Sequence, residues 1–261
     1  MQTVLKPRPL AAAICADIQL KVASTFQERK AAFELVYNSY RRAGLCEESD
    51  CGLRFTAYQL LETTDIIVAE LHGEVVSTMS LVRDGELGLP LEDIYPEQVS
   101  WRRAAGLRLA EVSCLADRRR SGSRFFGLFC EMSQIATQLA HRLDVEELLV
   151  AVHPRHAPLY RRSMAFQQIG DRREYPTVGG NPAVALSLNF ANARKQRTTG
   201  WKNLFSRPIP ADVLVPCPIS NTDREHFLAL VTETREPQLA VSDDSTEASE
   251  SQAAGECRLC A

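Results

Sequence analysis

The most constraining stretch of this 261-residue chain spans residues 107–166, where strand, turn, long helix and second strand follow one another without a break. Residues 107–116 alternate as a strand does. Asp117-Arg118-Arg119-Arg120-Ser121-Gly122-Ser123-Arg124 has the polarity of a turn. Residues 125–143 carry Phe125, Leu128, Phe129, Met132, Ile135, Ala136, Leu139 and Leu143 at helical spacing, which predicts one continuous apolar stripe. Residues 147–152 form the second strand, and a short helix is predicted from about His156. A strand-helix-strand crossover of this kind makes its two strands parallel neighbours in one sheet.

The first strand contains an anomaly. Uninterrupted alternation puts Leu107, Leu109, Glu111, Ser113 and Leu115 on one face, so a carboxylate sits among leucines. Such a group is either ion-paired with an arginine in or beside the sheet, or it is desolvated, with a raised pKa suited to taking a proton from an ammonium. Ser113, one pleat on, is suited to positioning a water or an amine.

Around this unit the chain predicts a mixed α/β fold. A strand at 18–22 precedes a helix at 25–45 with Phe33, Val36, Tyr37 and Tyr40 along one side. Strands at 65–71 and 75–82 meet through His72-Gly73-Glu74, a hairpin signal. Residues 85–101 read as a long connection, and 168–175 and 183–190 as two closing strands around Gly179-Gly180-Asn181-Pro182. The expected organisation is a lead-in (1–24), one domain (25–190), an extension (191–240) with one helix near 221–234, and a disordered Ser- and acid-rich tail (241–261).

A formal net charge of −3 excludes an overall nucleic-acid footprint, and no apolar run approaches the roughly 20 residues of a membrane span. A cytoplasmic location is expected. Cys114 and Cys130 fall within apolar elements as reduced thiols. Cys257-Arg258-Leu259-Cys260 is half of a structural zinc set, so no metal site is assigned.

Two further segments carry chemistry. The arginine turn ahead of a helix suits anionic oxygens: N-terminal backbone N–H groups are unpaired, Gly122 permits close approach, and Arg118, Arg119, Arg120 and Arg124 supply charge. The second, His153-Pro154-Arg155-His156-Ala157-Pro158-Leu159-Tyr160, follows the second crossover strand, where α/β folds place ligands. His153 and His156 are suited to binding substrate, relaying protons or capping the helix.

Taken together, Gly88-Leu-Pro-Leu91, Leu109-Ala-Glu-Val-Ser-Cys-Leu-Ala116, Val152-His-Pro-Arg-His-Ala157 with Tyr160, and Tyr175-Pro-Thr-Val-Gly-Gly-Asn-Pro-Ala-Val-Ala185 resemble the FeeM-type N-acyl amino acid synthases. They are also similar to acyltransferases found beside exosortase sorting systems. The resemblance covers about residues 25–190. It implies a GNAT-like fold, related to the autoinducer synthases, with a mixed sheet, an antiparallel N-terminal meander and a splayed parallel strand pair flanked by helices. It also implies transfer of a long-chain acyl group from acyl carrier protein to the α-amine of an amino acid.

On that resemblance Glu111 is the base and Tyr160 protonates the departing thiolate, with Ser113 and His153 assisting. Backbone N–H groups of Cys114, Leu115 and Ala116 polarise the thioester carbonyl. Arg118, Arg119, Arg120, Gly122 and Arg124 hold the phosphate of acyl-phosphopantetheine or acyl-CoA, which is a co-substrate and not a bound cofactor. Arg155 and His156 contact substrate, and Phe33 and Tyr37 wall the acyl tunnel or are plain core.

The turn departs from the Arg/Gln-x-x-Gly-x-Gly/Ala pattern of coenzyme A-dependent GNAT enzymes, because Arg124 stands at the second small position. This favours an acidic carrier. Autoinducer synthesis is the alternative; it fits less well because Ser39 and Cys114 stand where that family's tryptophan and arginine are expected. A non-catalytic acyl- or carrier-binding module is a third reading.

Overall fold

The structure is a computed structural model describing residues 17–118 and 122–233. In chain order the elements are β1 (Ile18–Val22), α1 (Phe26–Ala43), β2 (Thr64–Leu71), β3 (Glu74–Arg83), α2 (Pro96–Ala104), β4 (Leu109–Asp117), α3 (Gly122–Arg142), β5 (Glu147–Val152), α4 (Ala157–Ser163), β6 (Gln167–Gln168), β7 (Arg173–Tyr175), β8 (Asn181–Asn189), α5 (Phe190–Gln196), α6 (Thr199–Phe205) and α7 (Asn221–Glu233). The strands form one sheet in the order β1-β2-β3-β4-β5-β8-β6, with β7 also paired to β8. Only β4 and β5 run parallel among the described pairs, and the rest are antiparallel. This is the mixed α/β, GNAT-like architecture expected from the sequence.

Local chemistry accounts for the element ends. Thr25 caps α1: its hydroxyl accepts from the Glu28 N–H at 3.2 Å, while the Glu28 carboxylate accepts from the Thr25 N–H at 3.1 Å. The two residues joining β2 to β3, His72 and Gly73, have φ of 54° and 80°. Both are positive, as a two-residue hairpin turn that follows the strand twist requires.

The core lies on both faces of the sheet. On one face α3 buries Leu128, Phe129, Met132, Ile135, Ala136 and Leu139 against Ile67, Met79, Ala110 and Leu148, so the predicted stripe is the packed one. On the other, α1 and the segment after β3 cover the sheet through Phe33, Val36, Leu89, Leu91 and Tyr95. Residues 190–233 pack back onto the sheet domain. Phe227 is fully buried, with ring centres 4.6 Å from Phe26, 5.0 Å from Phe33 and 5.6 Å from Phe55.

Three expectations are corrected. The connection at 85–101 contains a helical turn (Pro90–Asp93) and the start of α2, each opened by a proline preset for a first helical turn. Its helices are too short for a periodic signal. The single strand expected at 168–175 is two short strands, interrupted where Gly170 passes so close to Tyr95 that a Cβ would lie 2.5 Å from the ring. Residues 191–220 hold helices α5 and α6, capped by Asn189 and Thr198. The expected tail at 241–261, with Cys257 and Cys260, lies outside the described residues.

Candidate active site

The crossover strands part company halfway. β4 and β5 pair only over Leu109–Glu147, Ala110–Leu148 and Glu111–Leu149. Beyond those positions β4 stays with β3, while β5 stays with β8, so a gap opens between them. A cavity of about 480 Å³ occupies the gap, lined by residues from Glu111 to Asp117 on one side and from Ala151 to His153 on the other.

A break in β4 widens the effect. Cys114 adopts φ 51°, and the β3–β4 register slips between Thr78–Ala116 and Ser80–Ser113. This is a β-bulge. It corrects the expectation for Leu115: Glu111 shares the face of Leu109, but after the bulge Leu115 packs in the opposite cluster with Val112 and α3. Since Glu111, Ser113, Val112 and Leu115 all line the cavity, it passes through the sheet from one face to the other.

Glu111 lies on the polar side of this passage. It is 2% exposed, and its Oε2 accepts from the Leu91 N–H at 2.7 Å. Burial pushes its pKa from 4.5 up to about 8; the Leu91 N–H opposes the rise, and Asp93 and Glu92 add to it. Among the described residues no arginine ion pair to Glu111 is formed. Arg102 is bound to Glu147, and Arg103 to Asp84 and Glu92. Ser113 Oγ is buried and makes no hydrogen bond of ordinary geometry among the described residues, and burial raises the Cys114 thiol.

The other side of the passage is apolar. Tyr160, on α4, packs edge-on against Phe129 and Phe166 with ring centres 5.5 Å away in each case, and burial raises its hydroxyl pKa. Next to it a narrow void of about 20 Å³ runs between the sheet and α3, lined by Met79, Val112, Ala136, Leu148 and Phe166 among others.

At the rim, His153 Nδ1 accepts from the Arg155 N–H at 3.2 Å, and His156 Nε2 accepts from Arg155 Nε at 3.0 Å. Burial, with Arg155 alongside, lowers the His156 pKa. Arg118 is exposed and paired with Glu74 at 2.5 Å. Arg119, Arg120 and the side chain of Arg124 lie outside the described residues; Gly122 opens α3.

The structure therefore brings Glu111, Ser113, Cys114, Leu115, Ala116, His153, Arg155, His156 and Tyr160 around one cavity. It does not bring Phe33 or Tyr37 there. Phe33 is held in the Phe55–Phe227 cluster, and the Tyr37 hydroxyl accepts from the Ser49 N–H at 3.1 Å. Sequence reasoning missed Arg54, Tyr58, Gln59 and Asp93, which also line the cavity. Only Thr56-x-x-Gln59, with capping-box spacing, hinted at an ordered turn there.

The model of the FeeM N-acyl amino acid synthase family matches residues 31–189. The chain belongs to this family. As a FeeM-family protein it is an N-acyltransferase. Among solved structures it is similar to FeeM, an N-acyl amino acid synthase from uncultured soil microbes. The two share 23% identity, the match covers 69% of this chain and 93% of that one, and the TM-score is 0.59. The acyl-homoserine-lactone synthase LasI is similar at 14% identity, over 74% of this chain and 96% of its own, with a TM-score of 0.56. BjaI, a coenzyme A-dependent acyl-homoserine lactone synthase solved with SAM and isopentyl-CoA, shares 12% identity. Its match covers 81% of this chain and all of BjaI, with a TM-score of 0.53. Among curated proteins none matches by sequence.

Proposed function

We propose that this FeeM-family protein transfers a long-chain acyl group from the phosphopantetheine thioester of acyl carrier protein to the α-amine of an amino acid. The observation that carries the reading is Glu111: a buried carboxylate with a pKa of about 8, on the polar side of a passage through the sheet whose other side is apolar.

A thioester threaded through the gap has its acyl chain among Phe129, Leu148 and Phe166, and its carbonyl beside the β4 edge. Beyond Glu111 that edge has no strand partner on the β5 side among the described residues, so N–H groups around Cys114, Leu115 and Ala116 are suited to polarising the carbonyl. The acceptor's ammonium gives one proton to Glu111, directly or through a water held by Ser113. A carboxylate of pKa about 8 is well matched to that step.

The freed lone pair attacks the thioester carbon, and the C–S bond breaks as the intermediate collapses. The nitrogen's second proton ends on the thiolate by way of Tyr160 or water, and Glu111 later releases its proton to solvent. His153, His156 and Arg155 at the rim contact the substrate. Arg118, Arg119, Arg120 and Arg124, with Gly122, receive the phosphate and the acidic carrier surface. A coenzyme A donor is the competing source of the thioester.

Expression in a bacterial host and mass spectrometry of the organic extract test the reading. N-acyl amino acids present with wild type and absent with Glu111→Gln are expected, at a loss of at least about 100-fold. Acyl homoserine lactones in their place would give autoinducer synthesis. No new lipid, with host carrier co-purifying on soluble protein, would favour a binding module.

A further inference from the structure

Two groups in the cavity wall play no part in the chemistry above. Arg54 carries a full charge yet is 8% exposed; it donates to the Thr177 carbonyl at 2.5 Å and lies over the Tyr40 ring, 5.0 Å from its centre. These contacts hold the planar guanidinium in one orientation. Gln59 is 2% exposed, and its Oε1 accepts from the Thr56 N–H at 2.8 Å and from the Thr56 hydroxyl at 2.7 Å. Because a backbone N–H only donates, the amide oxygen must face Thr56, which fixes Nε2 on the other side. That nitrogen is buried and has no partner among the described residues.

An unmet buried donor costs about 1–3 kcal/mol, and one in a cavity wall invites a ligand that supplies the acceptor. In a cavity whose wall also carries the Arg54 guanidinium, the matching ligand is an anion with two acceptor oxygens. The phosphate of a carrier-borne arm has to stay near the protein surface with its carrier, whereas Arg54 and Gln59 are buried in the wall that also holds Glu111.

We propose that Arg54 and Gln59 bind the carboxylate of the acceptor, so that the enzyme selects amino acids over free amines. This rests on the acyl-transfer reading and names its acceptor subsite. The carboxylate is gripped by the Arg54 fork and the Gln59 amide while the adjacent amine is presented towards Glu111. The two residues select substrate and do not take part in proton transfer.

The test uses purified full-length protein with dodecanoyl acyl carrier protein or dodecanoyl-CoA, following release of the carrier thiol. Acceptors are offered in matched pairs with and without a carboxylate: phenylalanine and phenethylamine, leucine and isoamylamine, lysine and cadaverine. Wild type should prefer the acid of the best pair by at least about 30-fold in kcat/KM. Arg54→Ala, and Gln59→Glu, which retains an oxygen for both Thr56 bonds, should each cut that ratio at least about tenfold through the KM of the acid. Arg54→Lys should recover part of it.

Ratios that stay at the wild-type value in both variants overturn the proposal. So does an equal slowing of acid and amine, or a raised KM for the acyl donor instead. A wild type that acylates amines as readily as acids overturns it while leaving acyl transfer intact. If no acceptor is acylated and no thiol is released, the acyl-transfer reading fails and this one with it.

Discussion

At the residue scale the molecule turns on Glu111. Its folded pKa of about 8 lies above the ordinary 4.5, so between those values the folded chain holds a proton that the unfolded chain has released. Stability must therefore fall as pH rises through that window, by up to about 1.4 kcal/mol per pH unit. Thermal melts of wild type from pH 5 to 9 should show this loss. Glu111→Gln should remove most of the slope, melting above wild type at pH 9 with the gap closing towards pH 5. The same ionisation should appear in activity, with kcat/KM rising about tenfold per pH unit until about pH 8. A wild-type rate flat from pH 6 to 8 would take Glu111 out of the base role. The carboxylate itself was legible in the sequence, as a charge on a leucine face. That no arginine among the described residues forms an ion pair with it was not, because Arg102 and Arg103 find their partners across the fold.

At the element scale the decisive feature is the divergence of β4 and β5 with the bulge at Cys114. The crossover predicted parallel neighbours, and they are. Where they separate depends on β3 and β8 competing for the two strands, which local alternation does not report. The left-handed conformation of Cys114 costs about 1–2 kcal/mol and is sustained by the flanking strands. Helix α4, which carries Tyr160, depends on a second close approach. A Cβ on Gly200 of α6 would lie 2.1 Å from the Ala165 backbone nitrogen, just past the end of α4. Gly200→Ala should push α6 away from α4 and destabilise the fold by at least about 1–3 kcal/mol. It should also lower turnover, since Tyr160 moves with its helix. A variant with unchanged melting and rate would show that α6 does not brace α4.

At the scale of the whole molecule, residues 190–233 bear on the site from outside the family-matched segment. Arg29 of α1 donates to the Cys217 carbonyl at 2.9 Å and pairs with Asp223 at 3.3 Å, and Asp65 accepts from the Cys217 N–H at 2.8 Å. Arg224 of α7 donates to the Leu60 carbonyl at 2.8 Å, at the end of the turn that carries Tyr58 and Gln59 into the cavity. Phe227→Ala should cost about 3–5 kcal/mol, because it empties the centre of the Phe26–Phe33–Phe55 cluster. Chemical denaturation would measure it, and a loss below about 1 kcal/mol would mean that the cluster closes without α7.

What the sequence by itself determined is whatever follows from short-range periodicity and backbone preference. That covers the strand-helix-strand crossover, the apolar stripe of α3, the helix α1, the His72-Gly73 hairpin and the misplaced carboxylate at 111. These are legible because pleat, helical pitch and turn dihedrals are set by neighbours in the chain. Only the tertiary structure decided that the β4 bulge turns Leu115 to the opposite face from Glu111, that Phe33 belongs to a core completed by Phe227, and that Arg54 and Gln59 share a cavity with Glu111. Each of these depends on contacts between segments far apart in sequence, where packing and the pairing of buried polar groups choose among arrangements that local spacing leaves equal.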